Sequence, residues 1–376
     1  MLVAGEASGD LHGATLARAL TSLEPGIALV GMGGSRMEAA GVRLLHGIDR
    51  AGVVGGTEVL GRLPALVRIL RDLGHRLAEL RPRALVLIDF PEFNLRLARR
   101  ARAERIPVVY FMAPQVWAWR RGRLQTMARD VTRVLAVFPF EVGLYQDAGV
   151  PVDFVGHPLL DVLPPIARAA ARAGLASEDE QLVGLLPGSR VAEVQRHLGV
   201  LLGAAQKILG RESRVRFALP LAATIRAADV EGSIRDTGLA VQVLRGEAYR
   251  VMAGADLLLL ASGTATLEAA CYGTPMVVLY RLSRLSYALA RLLVRGVSHI
   301  SLPNIIAGRG VVPELIQGQA TPARLARAAL ALLRDGEARA RQQAVLREVR
   351  ARLGQSGAGE RAARAVLRES THGVRA

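Results

Sequence analysis

Short apolar runs alternate with amphipathic, helix-like segments along most of the chain. In the first half, the apolar runs that predict β-strands are Leu2–Ala4, Ala28–Met32, Ala84–Ile88, Val108–Phe111 and Val134–Val137. The helical patterns between them include Leu11–Leu23, Leu60–Leu80 and Phe93–Ala103. Strands that alternate with helices in this way predict a parallel sheet with crossover helices, that is, a doubly wound α/β layer.

The stretch 158–181 interrupts this alternation with prolines, an Ala/Arg-rich helical segment and a polar run. Beyond it, strands are again predicted at Val183–Leu186, Arg216–Ala218, Val241–Leu244, Leu257–Leu260 and Met276–Tyr280. We therefore predict two α/β domains, residues 1–160 and 182–340, connected by a linker at 161–181. Residues 341–376 are predicted to form C-terminal helices that pack back on the first domain or on a partner subunit.

Loops rich in glycine, hydroxyl and acidic residues follow several predicted strands. Parallel sheets bind ligands beyond the carboxyl ends of their strands, so two layers in tandem predict a cleft lined by these loops. The first loop carries Glu6 and Ser8 and leads into a helix whose N-terminus favours an anion. A turn capped by Ser8 or Asp10 explains the same residues equally well. The loop has neither the dinucleotide-binding nor the P-loop glycine spacing.

An acidic residue, Asp89, ends the strongly apolar strand that includes Ile88. Burial at the edge of a sheet raises the pKa of a carboxyl group, and such a group can take a proton from a bound hydroxyl. Asp89 is therefore a candidate general base. A helix-capping role for Asp89 is the alternative that the local pattern leaves open.

Two loops of the second half carry groups suited to a diphosphate. The guanidinium of Arg190 can donate two hydrogen bonds to a phosphate, although an ion pair with Glu193 would also occupy it. The Ser262-Gly263-Thr264 turn lies between an apolar strand and a helix, so its backbone N–H groups are predicted to point at an anion. Glu268 does not fit a capping box and is a candidate for binding ribose hydroxyls, with an ordinary salt bridge as the alternative.

Arginine dominates the charge of the chain. The 376 residues include 49 lysines and arginines against 33 aspartates and glutamates, a formal net charge of +16. Such a charge suits nucleic acid, an anionic bilayer or phosphorylated substrates, and a coding bias would also produce it. Hydrophobic residues make up 51% of the chain, which excludes disorder over most of its length.

Two segments combine apolar residues with arginines. The first is a helical stripe made of Val59, Leu60, Leu63, Leu66 and Val67, and the second is residues 281–295. Either segment can lie at an anionic bilayer surface, although packing on its own sheet is the more common role of such a stripe. Nucleic-acid binding favours aromatic residues among basic ones, and only Trp117 and Trp119 fit that pattern. A membrane or a phosphate is therefore favoured over nucleic acid.

The remaining composition excludes several classes of protein. The single cysteine, Cys271, excludes an internal disulfide and a cysteine-based zinc site, and it fits the reducing cytoplasm. No basic leader precedes an apolar run at the start, so no signal peptide is predicted. Charged residues interrupt the most apolar stretches, 251–261 and 275–294, so no membrane span is predicted. The sequence contains neither an H-E-x-x-H pair nor a D-x-D spacing, so no metal is predicted.

Taken in order, these loops resemble those of the lipid-A-disaccharide synthase family. The matching segments run from residue 2 to about 310, and their number and order make the resemblance specific. They are AGEASGDLHG (4–13), DFPEFN (89–94), PQVWAWR (114–120), FPFE (138–141), FVGHPLLD (154–161), LLPGSR (185–190), ASGTATLE (261–268), PMVVLY (275–280) and SLPN (301–304).

The resemblance implies a GT-B fold of two Rossmann-like domains facing a central cleft, with no metal and no cofactor. The first domain would bind the lipid acceptor and the second the UDP-sugar. The implied reaction transfers 2,3-diacylglucosamine from its UDP donor to the 6-hydroxyl of 2,3-diacylglucosamine 1-phosphate (lipid X), with inversion. The family works on the cytoplasmic face of the inner membrane as a peripheral protein, and it dimerises by exchanging C-terminal parts.

The resemblance also implies roles for individual residues. Asp89 is similar to the family's catalytic base, and Glu268 to its ribose contact. The groups similar to its diphosphate site are Arg190, Ser262, Gly263 and Thr264, and those within its active-site motifs are Glu6, Ser8 and Asn304. Glu92 stands where the family usually has aspartate, so no catalytic role is assigned to it.

Two alternatives of different classes remain at this point. The first is another two-domain UDP-sugar enzyme, either a different glycosyltransferase or a UDP-N-acetylglucosamine epimerase. The second is a non-enzymatic, arginine-rich protein that binds an anionic membrane or nucleic acid. Such a protein would show salt-dependent binding and no release of UDP.

Overall fold

The computed structural model describes residues 1–48, 59–114, 122–282 and 298–372, with the side chains of 59–63 and of His372 left undescribed. The chain divides into two compact units. The first unit combines Met1–Asp161 with Leu353–Ala376, and the second is the continuous stretch Val162–Arg352.

The first unit is built on a parallel sheet of seven strands in the order β3-β2-β1-β4-β5-β6-β7. The strands are β1 (Leu2–Ala4), β2 (Val30–Gly33), β3 (Arg43–Gly47), β4 (Leu85–Ile88), β5 (Val108–Phe111), β6 (Arg133–Ala136) and β7 (Val152–Phe154). Every residue of the three central strands, β1, β4 and β5, is buried. This is the pattern expected of a parallel sheet that is covered by helices on both faces.

The helices of the first unit follow its strands in the crossover arrangement. They are α1 (Ala7–Leu23), α2 (Ser35–Ala39), α3 (Val59–Leu80), α4 (Pro91–Ala103), α5 (Arg123–Asp130), α6 (Pro139–Asp147) and α7 (Leu159–Val162). The second unit begins at the last residue of α7. Helix α4 starts with Pro91, a residue suited to the first turn because its missing N–H would have no helical partner there.

The second unit contains a parallel sheet of six strands in the order β10-β9-β8-β11-β12-β13. The strands are β8 (Gln181–Leu186), β9 (Val215–Leu221), β10 (Val241–Arg245), β11 (Leu257–Ala261), β12 (Met276–Tyr280) and β13 (Glu314–Ile316). The helices are α8 (Arg168–Arg172), α9 (Val191–Leu209), α10 (Ala228–Thr237), α11 (Ala248–Gly254), α12 (Thr264–Tyr272), α13 (Leu302–Ala307), α14 (Pro322–Arg334) and α15 (Gly336–Arg352). Apolar side chains of α9 and α14 form the core of this unit together with those of β8, β9 and β11.

The last helix, α16 (Ala358–His372), belongs to the first unit and packs on α1. Its N-terminus is held by the carboxylate of Asp161, which accepts hydrogen bonds from the backbone N–H groups of Gly357 (2.6 Å) and Gly359 (2.8 Å). An acidic group at a helix N-terminus satisfies N–H groups that have no helical partner and interacts favourably with the helix dipole.

The two parallel α/β domains predicted from the sequence are confirmed. Three strands were not predicted, namely β3, β7 and β13, and all three lie at an edge of a sheet. These three strands are short and half-exposed, and they lack the continuous apolar run that marks a central strand.

The boundaries of the two units differ from the predicted domain boundaries. Most of the segment predicted as a linker is part of the second unit, because Arg168 and Arg172 of α8 both bind the carboxylate of Asp256, at 2.6 and 2.7 Å. Of the C-terminal helices predicted at 341–376, α15 belongs to the second unit, and α16 belongs to the first unit and packs on its helix α1.

Candidate active site

Asp89 occupies a strained stretch of backbone directly after β4. Asp89 (φ +50°) and Phe90 (φ +48°) both have the left-handed conformation that residues other than glycine rarely adopt. The carbonyl oxygen of Asp89 accepts two hydrogen bonds that hold this conformation, from the Tyr110 hydroxyl (2.7 Å) and from Nδ2 of the buried Asn94 (2.7 Å). The main chain of Asp89 is therefore fixed by groups on β5 and α4.

The carboxyl group of Asp89 lies at the carboxyl edge of the first sheet. Burial raises its pKa, and the backbone N–H of Phe90 partly offsets that rise. Phe90, not Asp89, is the N-cap residue of α4, and no side chain caps this helix end. The alternative that Asp89 serves as a helix cap is therefore not what the structure shows.

The first loop is packed against this strained stretch. Strands β1 and β4 are neighbours, with Ala4 paired to Ile88. A side chain at Gly5 would overlap the ring of Phe90, so the ring lies directly on the glycine backbone. Only a residue without Cβ allows this close approach of the loop to Phe90.

Glu6 and Ser8 lie at the N-terminus of α1, on the same sheet edge as Asp89. Glu6 is half-buried and is the N-cap residue of α1, and Ser8 is exposed in the first turn. The alternative in which Ser8 or Asp10 caps this helix is not realised, since Glu6 is the N-cap residue. The buried carboxylate of Asp10 instead accepts hydrogen bonds from the backbone of Gly34 (2.7 Å) and Met37 (3.0 Å) and so caps α2.

Arg190 is the N-cap residue of α9 and presents an exposed guanidinium. Glu193 accepts hydrogen bonds from the backbone N–H groups of Ser189 and Arg190, which fixes the turn. The predicted ion pair between Arg190 and Glu193 exists, but its closest N–O distance is 3.4 Å and the Arg190 side chain is 58% exposed. Such a pair contributes little free energy, so the cation stays available to a ligand.

The Ser262-Gly263-Thr264 turn joins β11 to α12, as predicted, and β11 is the neighbour of β8. Gly263 and Thr264 are exposed at the start of the helix. The Ser262 hydroxyl donates a hydrogen bond to the carbonyl of Ile300 (3.0 Å), which anchors the turn to the loop before α13. The turn and Arg190 therefore follow adjacent strands of one sheet.

Glu268 is a half-buried carboxyl group one turn into α12. Burial raises its pKa to about 7. Within the described parts of the chain, no arginine, lysine or histidine forms a salt bridge with it, so the alternative reading as an ordinary ion pair is not realised there.

Asn304 is buried and all four of its amide hydrogen bonds stay within the protein. Nδ2 donates to Val312 O (2.9 Å) and to Glu314 Oε1 (2.8 Å), and Oδ1 accepts from the N–H groups of Val311 (2.7 Å) and Val312 (2.8 Å). These bonds give Asn304 a role in shaping the loop. A contact with substrate stays a prediction.

Sequence analysis missed the residues that support these loops. Glu314 accepts hydrogen bonds from Ser301 N (2.8 Å), Ser301 Oγ (2.6 Å) and Asn304, and so organises the loop that holds Ser262. No role was predicted for Tyr110, nor for Asn94, although Asn94 belongs to the DFPEFN segment (89–94). No local pattern marks such residues, because each acts on backbone that belongs to another element.

Several predicted positions lie wholly or partly outside the described residues. Trp117 and Trp119 fall in 115–121, and most of the arginine-rich stretch at 281–295 falls in 283–297. In the apolar stripe of α3, the side chains of Val59, Leu60 and Leu63 are not described. Leu66 and Val67 are half-buried, and Leu66 packs against the core of the first unit.

Solved structures with this fold include enzymes that act on nucleotide sugars. A putative UDP-N-acetylglucosamine 2-epimerase from Listeria monocytogenes matches with a TM-score of 0.63 at 13% identity, over 98% of this chain and 94% of that one. The UDP-GlcNAc 2-epimerase from Neisseria meningitidis, bound to UDP-GlcNAc, matches with a TM-score of 0.59 at 11% identity, over 96% of this chain and 97% of that one. The glycotransferase of kitacinnamycin matches with a TM-score of 0.58 at 17% identity, over 98% of both chains. The chain therefore has the two-domain α/β fold of glycosyltransferases and UDP-sugar epimerases.

Sequence relatives are more specific. The chain belongs to the lipid-A-disaccharide synthetase family, whose family model matches residues 1–368. It is 45% identical over 369 residues to lipid-A-disaccharide synthase from Anaeromyxobacter dehalogenans, covering 98% of this chain and 96% of the relative. The synthase from Syntrophus aciditrophicus is 45% identical over 366 residues, covering 96% and 95%. The predicted resemblance is confirmed, and the protein is a glycosyltransferase of lipid A biosynthesis that uses UDP-sugar and lipid substrates.

Proposed function

We propose that the protein transfers 2,3-diacylglucosamine from UDP-2,3-diacylglucosamine to the 6-hydroxyl of lipid X. The products are the β-1′,6-linked disaccharide 1-phosphate and UDP, and the configuration at the anomeric carbon is inverted. The observation that carries this proposal is the Asp89 carboxyl group, whose backbone is fixed in a strained conformation and whose pKa is raised by burial.

In this reaction Asp89 acts as the general base. Its carboxylate takes the proton of the acceptor hydroxyl while the hydroxyl oxygen forms a bond to the anomeric carbon of the donor. The bond between that carbon and the diphosphate oxygen breaks in the same displacement, and UDP leaves with the electron pair. A raised pKa makes the carboxylate a stronger base than a solvated aspartate, and a fixed position keeps it in reach of the proton.

The leaving diphosphate is stabilised by the second unit. Arg190 supplies a guanidinium that no strong ion pair occupies, and the exposed start of α12 supplies backbone N–H groups and the positive end of a helix dipole. We assign the ribose hydroxyls to Glu268. Contacts with the sugars are assigned to Glu6, Ser8 and Asn304 by their position in the motifs of the family.

The protein works as a peripheral protein on the inner face of the inner membrane, because both substrates carry acyl chains. No described helix is both long and apolar enough to cross a bilayer. The stripe made of Val59, Leu60, Leu63, Leu66 and Val67 is the proposed membrane contact, and the net charge of +16 favours an anionic surface. A homodimer is part of the same proposal, since the family resemblance implies one.

Release of UDP by the purified protein tests this function. With UDP-2,3-diacylglucosamine as donor, UDP should appear only when lipid X is added, in a one-to-one ratio with a disaccharide 1-phosphate identified by mass. Release that does not depend on lipid X, or conversion of UDP-N-acetylglucosamine to its 2-epimer, would contradict the proposal and favour another UDP-sugar enzyme.

A further inference from the structure

A buried histidine connects two loops at the carboxyl edge of the second sheet. His197 lies two turns into α9 and is 1% exposed. Its Nδ1 lies 2.9 Å from the carbonyl oxygen of Pro187, in the loop between β8 and α9. Its Nε2 lies 3.2 Å from the backbone nitrogen of Arg281, the first residue after β12.

The two partners determine the state of the imidazole ring. A carbonyl oxygen can only accept, so Nδ1 carries the hydrogen, and the Arg281 N–H can only donate, so Nε2 is unprotonated. Burial lowers the pKa of His197, which keeps the ring neutral and preserves the acceptor. Both ring nitrogens therefore form hydrogen bonds with backbone groups, and these groups belong to two separate loops.

These loops lie on either side of the proposed diphosphate turn. Strand β11 is between β8 and β12 in the sheet, so the Ser262-Gly263-Thr264 turn lies between the loop of Pro187 and the backbone of Arg281. The next residue, Leu282, is held from another direction, since its N–H donates to Gln317 Oε1 (3.2 Å). Among the described residues, the Arg281 side chain forms no salt bridge.

We propose that His197 is a positioning residue that fixes the loop of Pro187 and the backbone of Arg281 on opposite sides of this turn, and that Arg281 is a second cation for the nucleotide diphosphate. The assignment rests on the proposed use of a UDP-sugar. A diphosphate carries charge on both phosphates, and two guanidiniums, one on each side of this turn, neutralise more of it than one. His197 contacts only the protein and acts through these two loops.

Nucleotide binding by single variants tests the proposal. The side-chain amide nitrogen of asparagine can occupy the position of Nδ1, so His197→Asn keeps a donor for the carbonyl of Pro187. It loses the Nε2 acceptor for the backbone N–H of Arg281. The longer side chain of His197→Gln places its amide near the position of Nε2 and so keeps an acceptor for the backbone N–H of Arg281.

Titration calorimetry with UDP measures the effect. We expect His197→Asn and Arg281→Ala each to weaken UDP binding by about tenfold, which corresponds to the loss of one charged contact. Binding of uridine, which has no phosphate, should change less than twofold, and His197→Gln should retain more UDP affinity than His197→Asn.

A double-mutant cycle separates positioning from an independent effect. If His197 acts through Arg281, the double variant His197→Asn/Arg281→Ala should bind UDP no more weakly than Arg281→Ala alone. The proposal would be overturned if the loss of UDP affinity in the double variant equalled the product of the two single-variant losses. It would also be overturned if Arg281→Ala bound UDP as tightly as the wild type.

A core variant on the same helix face is the matched control. Leu201 lies one turn after His197 and is fully buried, so Leu201→Ala should lower the melting temperature while leaving UDP affinity unchanged below the transition. If Leu201→Ala weakens UDP binding as much as His197→Asn does, His197 is only a core residue. A wild-type protein that binds neither UDP nor uridine contradicts the proposed function itself, whereas UDP binding that ignores these variants contradicts only this inference.

Discussion

At the scale of single residues, the molecule holds carboxyl groups in two different kinds of surroundings. Asp89 and Glu268 belong to different units, yet burial raises the pKa of both. Asp10 and Asp161 show the contrasting use of a carboxylate, since each is saturated by backbone N–H groups at a helix end. The two structural carboxylates each bind the backbone N–H groups of a helix N-terminus, whereas burial is the largest influence on Asp89 and Glu268.

Replacing Asp89 by asparagine tests the general base. Asp89→Asn should lower kcat by about 10²–10⁴-fold, because the amide cannot take a proton, and UDP release in the presence of lipid X measures the loss. The fold should survive, since asparagine adopts a positive φ more readily than most residues. Asp147→Asn, which changes an exposed carboxylate in the same unit, is the control and should keep normal turnover. A folded Asp89→Asn protein with near-normal turnover would reject the assigned role.

The acidity of Glu268 predicts the direction of a pH effect on binding. Because the pKa of Glu268 is about 7, its carboxyl group is protonated below that pH and loses an acceptor for ribose hydroxyls. Uridine affinity should therefore increase as pH rises through 7, and uridine is the suitable probe because its phosphate-free structure does not titrate there. Glu268→Gln should remove this dependence, and an unchanged pH profile in that variant would show that another group causes it.

At the scale of elements, the central strands are predictable, whereas three of the four edge strands, β3, β7 and β13, are not. Continuous apolar runs mark β4, β5 and β11 because these strands are buried on both faces. The loops after them are also predictable, since small and polar residues follow the apolar runs directly. The edge strands β3, β7 and β13 have mixed, half-buried sequences that resemble loops.

Supporting residues show a second limit of sequence analysis. Tyr110 is 21 positions from Asp89, and His197 is 84 positions from Arg281, so each contact exists only once the sheet has formed. Residue type and local spacing identify candidate functional side chains such as Asp89 and Arg190, whose roles stay predictions. They do not predict which distant side chains hold the backbone of those residues.

The cap of the last helix gives a prediction for an element. Asp161→Ala removes the acceptor of the N–H groups that begin α16 and should lower the free energy of unfolding by about 1–2 kcal/mol. Denaturant unfolding followed by circular dichroism measures the change. Asp161→Asn keeps one acceptor oxygen and should lose less, so equal losses in the two variants would argue against capping as the cause.

At the scale of the whole molecule, net charge and the apolar stripe make different contributions to the proposed membrane contact. Electrostatic attraction from a net charge of +16 is screened by salt, whereas burial of apolar side chains in lipid is not. Leu66 is partly used by the core of the first unit, so the stripe is not wholly available to lipid.

Serine substitutions separate these contributions. Leu63→Ser/Val67→Ser should increase the fraction of protein released from membranes by salt without detergent, as measured by sedimentation, with little change in melting temperature. The control is Leu73→Ser on the same helix, where the side chain is fully buried and the melting temperature should fall. If the double variant loses thermal stability and stays bound, the stripe belongs to the core.

The return of the chain to its first unit has a consequence for biosynthesis. The second unit is one uninterrupted stretch, so it can reach its native state as soon as Arg352 has been translated. The first unit needs α16 to cover α1, and that helix is translated after the whole of the second unit. The α1 surface of the first unit therefore stays uncovered until residues 358–372 have been made, and chains truncated before Ala358 should be retained by chaperones or removed by proteases.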